Sequence, residues 1–189
     1  MRVIAGKYRS RPLHSLRGLD LRPTSDRLRE TLFDVLTSGN PPALEGTIWI
    51  DLFAGTGAVG IEAISRGAGM VYFVEHSRPA VELIRRNLDS LGIKTGFRIL
   101  HQDATHAQRT GDAIQFDFAF LDPPYQTESA YRQTLEMLSA SHSLKPESKV
   151  IAEHQKRYDP GERVASLARY RLLKQGDAAL SFYSPVIHE

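Results

Sequence analysis

The sequence predicts an α/β fold: an open, mostly parallel seven-stranded sheet with helices on both faces, preceded by a short N-terminal extension. Three observations carry the prediction. From residue 47 onward, short apolar runs alternate with helical patterns. The runs are apolar on both faces, as strands of a doubly covered parallel sheet must be. The first run leads through glycines directly into a helix.

The elements follow in order. Residues 1–22 mix basic residues with Gly6, Pro12 and Gly18, and the apolar pieces "RVIAG" and "RPLHSL" suit a small hairpin. In "PTSDRLRETLFDVLTSGNPP", Thr24 or Ser25 can cap a helix and Asp26 favours its positive end. Leu28, Leu32, Val35 and Leu36 give that helix one buried face, and Gly39 with two prolines stops it. Next come the strand "TIWIDLF", a glycine loop and the helix "AVGIEAISRG". "MVYFVE" is strand two, "RPAVELIRRNLDSLG" its helix, and "FRILHQD" strand three, followed by a short helical piece. "FDFAFLD" is strand four with the helix "SAYRQTLEMLSAS", and "KVIAEH" is strand five. "YRLLKQGDAALSFYSP" closes the fold as a hairpin turned at Gly176-Asp177. A boundary near residue 40 divides a basic extension, 1–40, from the main domain, 41–189.

The chain has 189 residues and is 41% hydrophobic, enough to bury a core without staples. It has no cysteine, which excludes disulfides, thiolate metal sites and a cysteine nucleophile. No apolar run approaches a membrane span and the basic N-terminus lacks a signal-peptide core, so a cytoplasmic protein is expected. Its seven histidines show no metal spacing, and no metal is expected. Net charge is +2, but eight Lys/Arg and three acids put +5 on residues 1–30 and leave −3 on the remainder. A basic arm on a mildly acidic body suits a polyanionic partner.

"DLFAGTGAVG" holds Gly55, Gly57 and Gly60 between a strand and a helix, a nucleotide-binding pattern shared by several fold types. Three acids stand at strand ends: Asp51 before the loop, Glu75 after strand two and Asp103 after strand three. Such ends form the ligand-binding edge of an open α/β sheet. Glu75 suits a ribose diol, which NAD and S-adenosylmethionine both carry. Asp51 separates them better. Beside a pyrophosphate it would be repelled by roughly 4 kcal/mol at about 4 Å and an effective dielectric of about 20. Beside the ammonium and sulfonium of S-adenosylmethionine it would be attracted. Asp103 could accept from the adenine amine.

In "FLDPPY", an apolar strand ends on Asp122, Pro123, Pro124 and Tyr125. Strands one and four are neighbours at the switch point of a doubly wound sheet, so Asp122 belongs beside the glycine loop. The Asp122 carboxylate and the Pro123 carbonyl form a pair of acceptors, matching the two hydrogens of a nucleobase amine. Tyr125 offers a face for stacking, worth roughly 1–3 kcal/mol. Such a site suits methyl transfer to an amino nitrogen by orientation and electrostatics, without a covalent nucleophile. The competing readings are an adenine-N6 or protein-amide methyltransferase, an NAD-dependent oxidoreductase that takes the glycine loop literally, and a non-catalytic rRNA-binding assembly factor.

"LRPTSDRLRETLFDVL", "DLFAGTGAVGIEAISRGA", "VYFVE" and "FLDPPY", in that order, resemble the bacterial small-subunit (16S) rRNA guanine-N2 methyltransferase family. The similarity runs from "RVIAGKYRSRPL" to strand five and weakens over the last 35 residues. The resemblance implies a class I methyltransferase fold and transfer from S-adenosylmethionine to one guanine amine of 16S rRNA within the small ribosomal subunit. It assigns Asp51, Phe53, Gly55, Gly57, Glu75, Asp103 and Ala104 to the cofactor, with Thr24 and Arg27 closing over its methionine end. It assigns Asp122, Pro123 and Tyr125 to the base, and Arg2, Lys7, Arg9 and Arg11 to rRNA. A monomer with no obligate protein partner is expected.

Overall fold

The computed structural model describes residues 1–15, 25–38, 41–110 and 114–186. Its helices are α1 (Asp26–Thr37), α2 (Ala58–Ser65), α3 (Arg78–Leu91) and α4 (Glu128–Ala140). Its strands are β1 (Ile48–Leu52), β2 (Met70–Glu75), β3 (Phe97–His101), β4 (Phe116–Leu121), β5 (Leu144–Gln155), β6 (Arg163–Val164), β7 (Leu167–Gln175) and β8 (Ala178–Pro185). Short 3₁₀ turns cover Pro41–Leu44 and Ala104–Thr110, the latter being the helical piece after strand three.

The strands form one sheet in the order β3-β2-β1-β4-β5-β8-β7-β6. The first five are parallel, and β8 and β7 return antiparallel as the closing hairpin. The described residues therefore hold eight strands where seven were expected. The extra one, β6, is a two-residue pairing with the start of β7, too short to leave a period in the sequence.

Alternation along each strand splits the core into two layers. Phe73, Trp49, Phe118, Phe120 and Ile151 face the side of α1, α2 and α3. Tyr72, Ile50, Ala119, Leu121 and Val150 face α4. Phe33 of α1 stacks on Trp49 at 5.5 Å, and Trp49 on Phe118 at 4.5 Å, which locks α1 over β1 and β4. Ser25 caps α1 by accepting from the Leu28 N–H. The buried face of α1 is rotated from the one expected: Leu28, Arg29, Leu32 and Phe33 are buried, whereas Val35 and Leu36 are only partly so. The Phe33 stack and the ion pairs of Arg29 account for the rotation.

The extension folds back on itself, with Arg2 bridging Pro12 and the Val3 N–H donating to Arg11 O. Val3 and Leu13 enter the same core as α1 and β1. The hairpin turn sits on the far end of α2: the Lys7 N–H donates to Ser65 O, and the Tyr8 N–H to Ser65 Oγ. Only glycine fits at position 6, because φ is +78° and a Cβ would lie 1.9 Å from Ser65 O. The Ile4 and Ala5 N–H groups both donate to the Glu62 carboxylate of α2.

Candidate active site

The chain leaves β1 at the carboxyl edge of the sheet, turns through the glycine loop and enters α2. Phe53 takes a left-handed backbone, φ +62°, which costs a side-chain-bearing residue about 1–3 kcal/mol. Such strain is held in place by its surroundings, here by hydrogen bonds from the two residues that follow. The Ala54 N–H donates to Val74 O, and the Gly55 N–H to Glu75 Oε2. Gly55 and Gly57 have φ of +54° and +76°. A Cβ on Gly60 would strike the Phe73 ring at 2.3 Å, so this glycine lets α2 pack directly on β2.

Four carboxylates converge on the α1 side of this edge. Asp51 shares its face with Trp49, and Glu75 with Phe73. Asp122 follows Phe120 by two residues and Glu153 follows Ile151 by two, so all four project the same way. β1 pairs β4, as the switch-point argument requires, and the Asp122 N–H donates to Leu52 O at 3.4 Å. The base-binding and cofactor-binding expectations thus meet at one edge. Glu153 is the member that sequence reasoning missed. It follows the apolar run Val150–Ala152 as Asp122 follows Phe118–Leu121, and that repetition was the available signal.

Their environments differ. Asp51 is 1% exposed and accepts from the Gly60 N–H at 2.9 Å. Burial pushes its carboxyl up to about 8, the Gly60 bond opposes this, and nearby Glu75 adds to it. Asp122, half-buried, is raised well above the ordinary carboxylate range by burial, then by Glu153 and Asp51. Glu75 is buried and accepts from Gly55 and Ser77 N–H groups, one on each oxygen, with acceptor capacity left over. Asp103 is exposed and held low, chiefly by the Thr105 hydroxyl and N–H, both on Oδ1. Ala104 is buried behind it.

After Asp122 the chain turns into α4, with the Thr127 N–H on Pro124 O. The buried Tyr131 hydroxyl donates to Pro123 O at 3.4 Å, leaving that carbonyl one lone pair for a substrate hydrogen. Tyr125 is half-buried beside the aromatic group of Tyr131, Tyr158 and His154, whose rings lie 5.0–6.4 Å apart.

The basic arm lies elsewhere. Lys7 sits over the Tyr8 ring at the hairpin turn and Arg9 is exposed beside it, both at the end of α2 remote from Asp122. Arg11 donates to Ser90 O near the end of α3. Arg2 lies 3.9 Å from Asp26 at the start of α1. Arg27 is exposed on the first turn of α1, and Thr24 lies outside the described residues.

Residues 1–184 match the family described as conserved hypothetical protein 95. The chain belongs to this family. Its relatives include YlbH of Bacillus subtilis, 31% identical over 185 residues, covering 97% of this chain and 98% of the relative. Ribosomal RNA small subunit methyltransferase D of Haemophilus influenzae is 34% identical over 158 residues, covering 82% of this chain and 79% of the relative. Among solved structures, yhhF from Escherichia coli superposes with a TM-score of 0.84 at 26% identity, covering 100% of this chain and 99% of the other. The fold is the Rossmann-like one of class I methyltransferases. It is shared with an RNA methyltransferase from Salinibacter ruber solved with S-adenosyl-L-homocysteine, at a TM-score of 0.66 and 15% identity over 88% of this chain and 95% of that one.

Proposed function

We propose that the protein is an S-adenosylmethionine-dependent methyltransferase that modifies the exocyclic N2 amine of a guanine in 16S rRNA of the small ribosomal subunit. The observation that carries this reading is the placement of Asp122 and the Pro123 carbonyl beside a glycine loop backed by the buried acids Asp51 and Glu75. The name borne by relatives such as the Haemophilus influenzae protein supports rRNA as the substrate.

The residues present fit the cofactor. Asp51 is a buried carboxyl with no cation to ionise against, and an ammonium beside it would supply one. Glu75 and Asp103 keep acceptor capacity for a ribose diol and an adenine amine, and the reading assigns Phe53, Gly55 and Gly57 of the loop after β1, and Ala104 after Asp103, to the same ligand. A pyrophosphate would give the buried Asp51 carboxyl no cation to ionise against, which disfavours the dinucleotide reading. The reading also assigns Thr24 and Arg27 to the methionine end.

Bound S-adenosylmethionine supplies an electrophilic methyl group. The protein's part is to make a poor nucleophile attack. Asp122 and Pro123 O accept the two amine hydrogens and hold the nitrogen lone pair out of conjugation with the ring, while Tyr125 stacks on the base. The nitrogen sheds one proton as it gains the methyl, and the Asp122 carboxylate, whose proton affinity is raised, receives it. The reading takes the protein to act as a monomer in the cytoplasm.

The test is to incubate the protein with small subunits and methyl-labelled S-adenosylmethionine, then digest the RNA to nucleosides. Label in N2-methylguanosine is expected. Label in N6-methyladenosine, or in protein, sinks the reading, and so does binding of NAD in preference to S-adenosylhomocysteine by calorimetry.

A further inference from the structure

Asp-Pro-Pro-Tyr does not by itself choose a base. Its two acceptors match the NH₂ of adenine as well as that of guanine. The bases differ at the neighbouring ring nitrogen: guanine N1 carries a hydrogen, whereas adenine N1 carries a lone pair. A further acceptor next to Asp122, taking the N1 hydrogen, would therefore select guanine.

The sheet register supplies one. β4 pairs β5 with Phe120 opposite Ile151 and Leu121 opposite Ala152, so the next rung places Asp122 opposite Glu153. Paired strands lie about 4.8 Å apart. Both carboxylates project to the α1 side, as Phe120 and Ile151 do two residues earlier. Glu153 is 3% exposed and stands on the side of Asp122 away from the glycine loop. After burial, it is the largest influence on the Asp122 carboxyl. Glu153 has interactions of its own within the protein, but a carboxylate accepts more than one hydrogen bond.

We propose that Glu153 selects guanine, accepting the N1 hydrogen while Asp122 and Pro123 O accept those on N2. The inference rests on the guanine-N2 reading above. Adenine, or any base with a lone pair at that position, meets a second carboxylate instead of a partner. A site built to hydrogen-bond a substrate donor rejects the analogue lacking it by up to about 10⁴–10⁵-fold.

The alternative role for Glu153 is purely structural, as a counter-charge to buried Arg29, whose guanidinium it also influences. 2-Aminopurine separates the two roles, because it keeps the N2 amine and has a lone pair at N1. The methylated position is first mapped with wild-type enzyme. Small subunits are then reconstituted with guanosine or 2-aminopurine riboside at that position, and kcat/KM is measured on each. Wild type should prefer guanosine by at least about 100-fold. Glu153→Gln, whose amide can donate to N1, should narrow that ratio at least tenfold while S-adenosylhomocysteine binding stays within about twofold. Glu153→Asp, which keeps the charge and shortens the reach, should lose at least about tenfold on guanosine and serves if the glutamine variant does not fold. An unchanged ratio with both rates falling together, or no gain on 2-aminopurine, overturns the proposal and leaves Glu153 structural. Wild-type label outside N2-methylguanosine is a separate outcome, which removes the guanine-N2 reading itself.

Discussion

Glu62, within α2, and Asp51, beneath the first turn of α2, are both fully buried carboxylates. Their surroundings are opposite. Glu62 accepts from the Ile4 and Ala5 N–H groups and from Arg66 Nε at 2.7 Å, and Arg29 lies 3.9 Å away. Asp51 accepts from Gly60, has acidic neighbours, and keeps its proton up to about pH 8. The acid at the hairpin end is completed by the protein and holds the arm to α2. Asp51 meets no positive partner among the described residues, and under the proposed function a cofactor ammonium would supply one. Burial alone does not tell a structural acid from a ligand-binding one; the supply of positive partners does.

The comparison can be broken in four places. The largest effect is expected at the catalytic edge. Asp122→Ala should lower kcat at least about 10³-fold while S-adenosylhomocysteine affinity changes little. Equal loss of both, read by calorimetry beside the labelled assay, would assign Asp122 to the scaffold. Glu62→Gln comes second. Removing one partner of a buried ion pair leaves Arg29 with Asp26 alone and Arg66 without its carboxylate, and urea melts should show a loss of about 3–5 kcal/mol. A loss below about 1 kcal/mol would deny Glu62 its structural role.

Asp51 sharpens the contrast through pH. Its folded value lies above the unfolded one, so the folded state holds a proton that the unfolded state releases. The stabilisation this gives is complete below about pH 4, shrinks as pH rises, and is gone above about pH 8. Cofactor-free protein should therefore lose melting temperature across that window. Asp51→Asn should flatten the slope without destabilising at pH 8, and should weaken cofactor binding about tenfold or more. A slope unchanged by the substitution would contradict the assignment. The smallest effect is that of Lys7→Ala with Arg9→Ala, which should leave the fold within about 0.5 kcal/mol. Affinity for small subunits should fall, and the salt dependence of log K should flatten by about one to two units. A salt slope equal to that of wild type would remove these two side chains from the RNA contact.

What the sequence disclosed followed from local periodicity. Each strand of the parallel sheet reads as an apolar run, and Asp51, Glu75, Asp103 and Asp122 each break such a run at its carboxyl end, so the edge they share was legible. The glycine spacing located the loop, though Phe53, not a glycine, takes one of its left-handed positions. What escaped depends on partners distant in the chain. Arg29 reads as an exposed helix charge, yet it is wholly buried because Asp26 and Glu62 meet it and Arg2 O accepts from it. Gly6 reads as a generic turn residue, and only the approach of Ser65 O shows why nothing larger fits.

The hairpin turn of the extension has a practical consequence for choosing substrates. Lys7 and Arg9 lie at the end of the eight-residue α2 opposite to the one where it leaves the glycine loop, about 12 Å along its axis. A molecule reaching from these side chains to Asp122 must wrap around the flank of the domain. A dinucleotide or short oligomer could fill the base site and still leave the hairpin untouched, so turnover on such minimal mimics would score the chemistry while staying blind to any contact proposed for the hairpin.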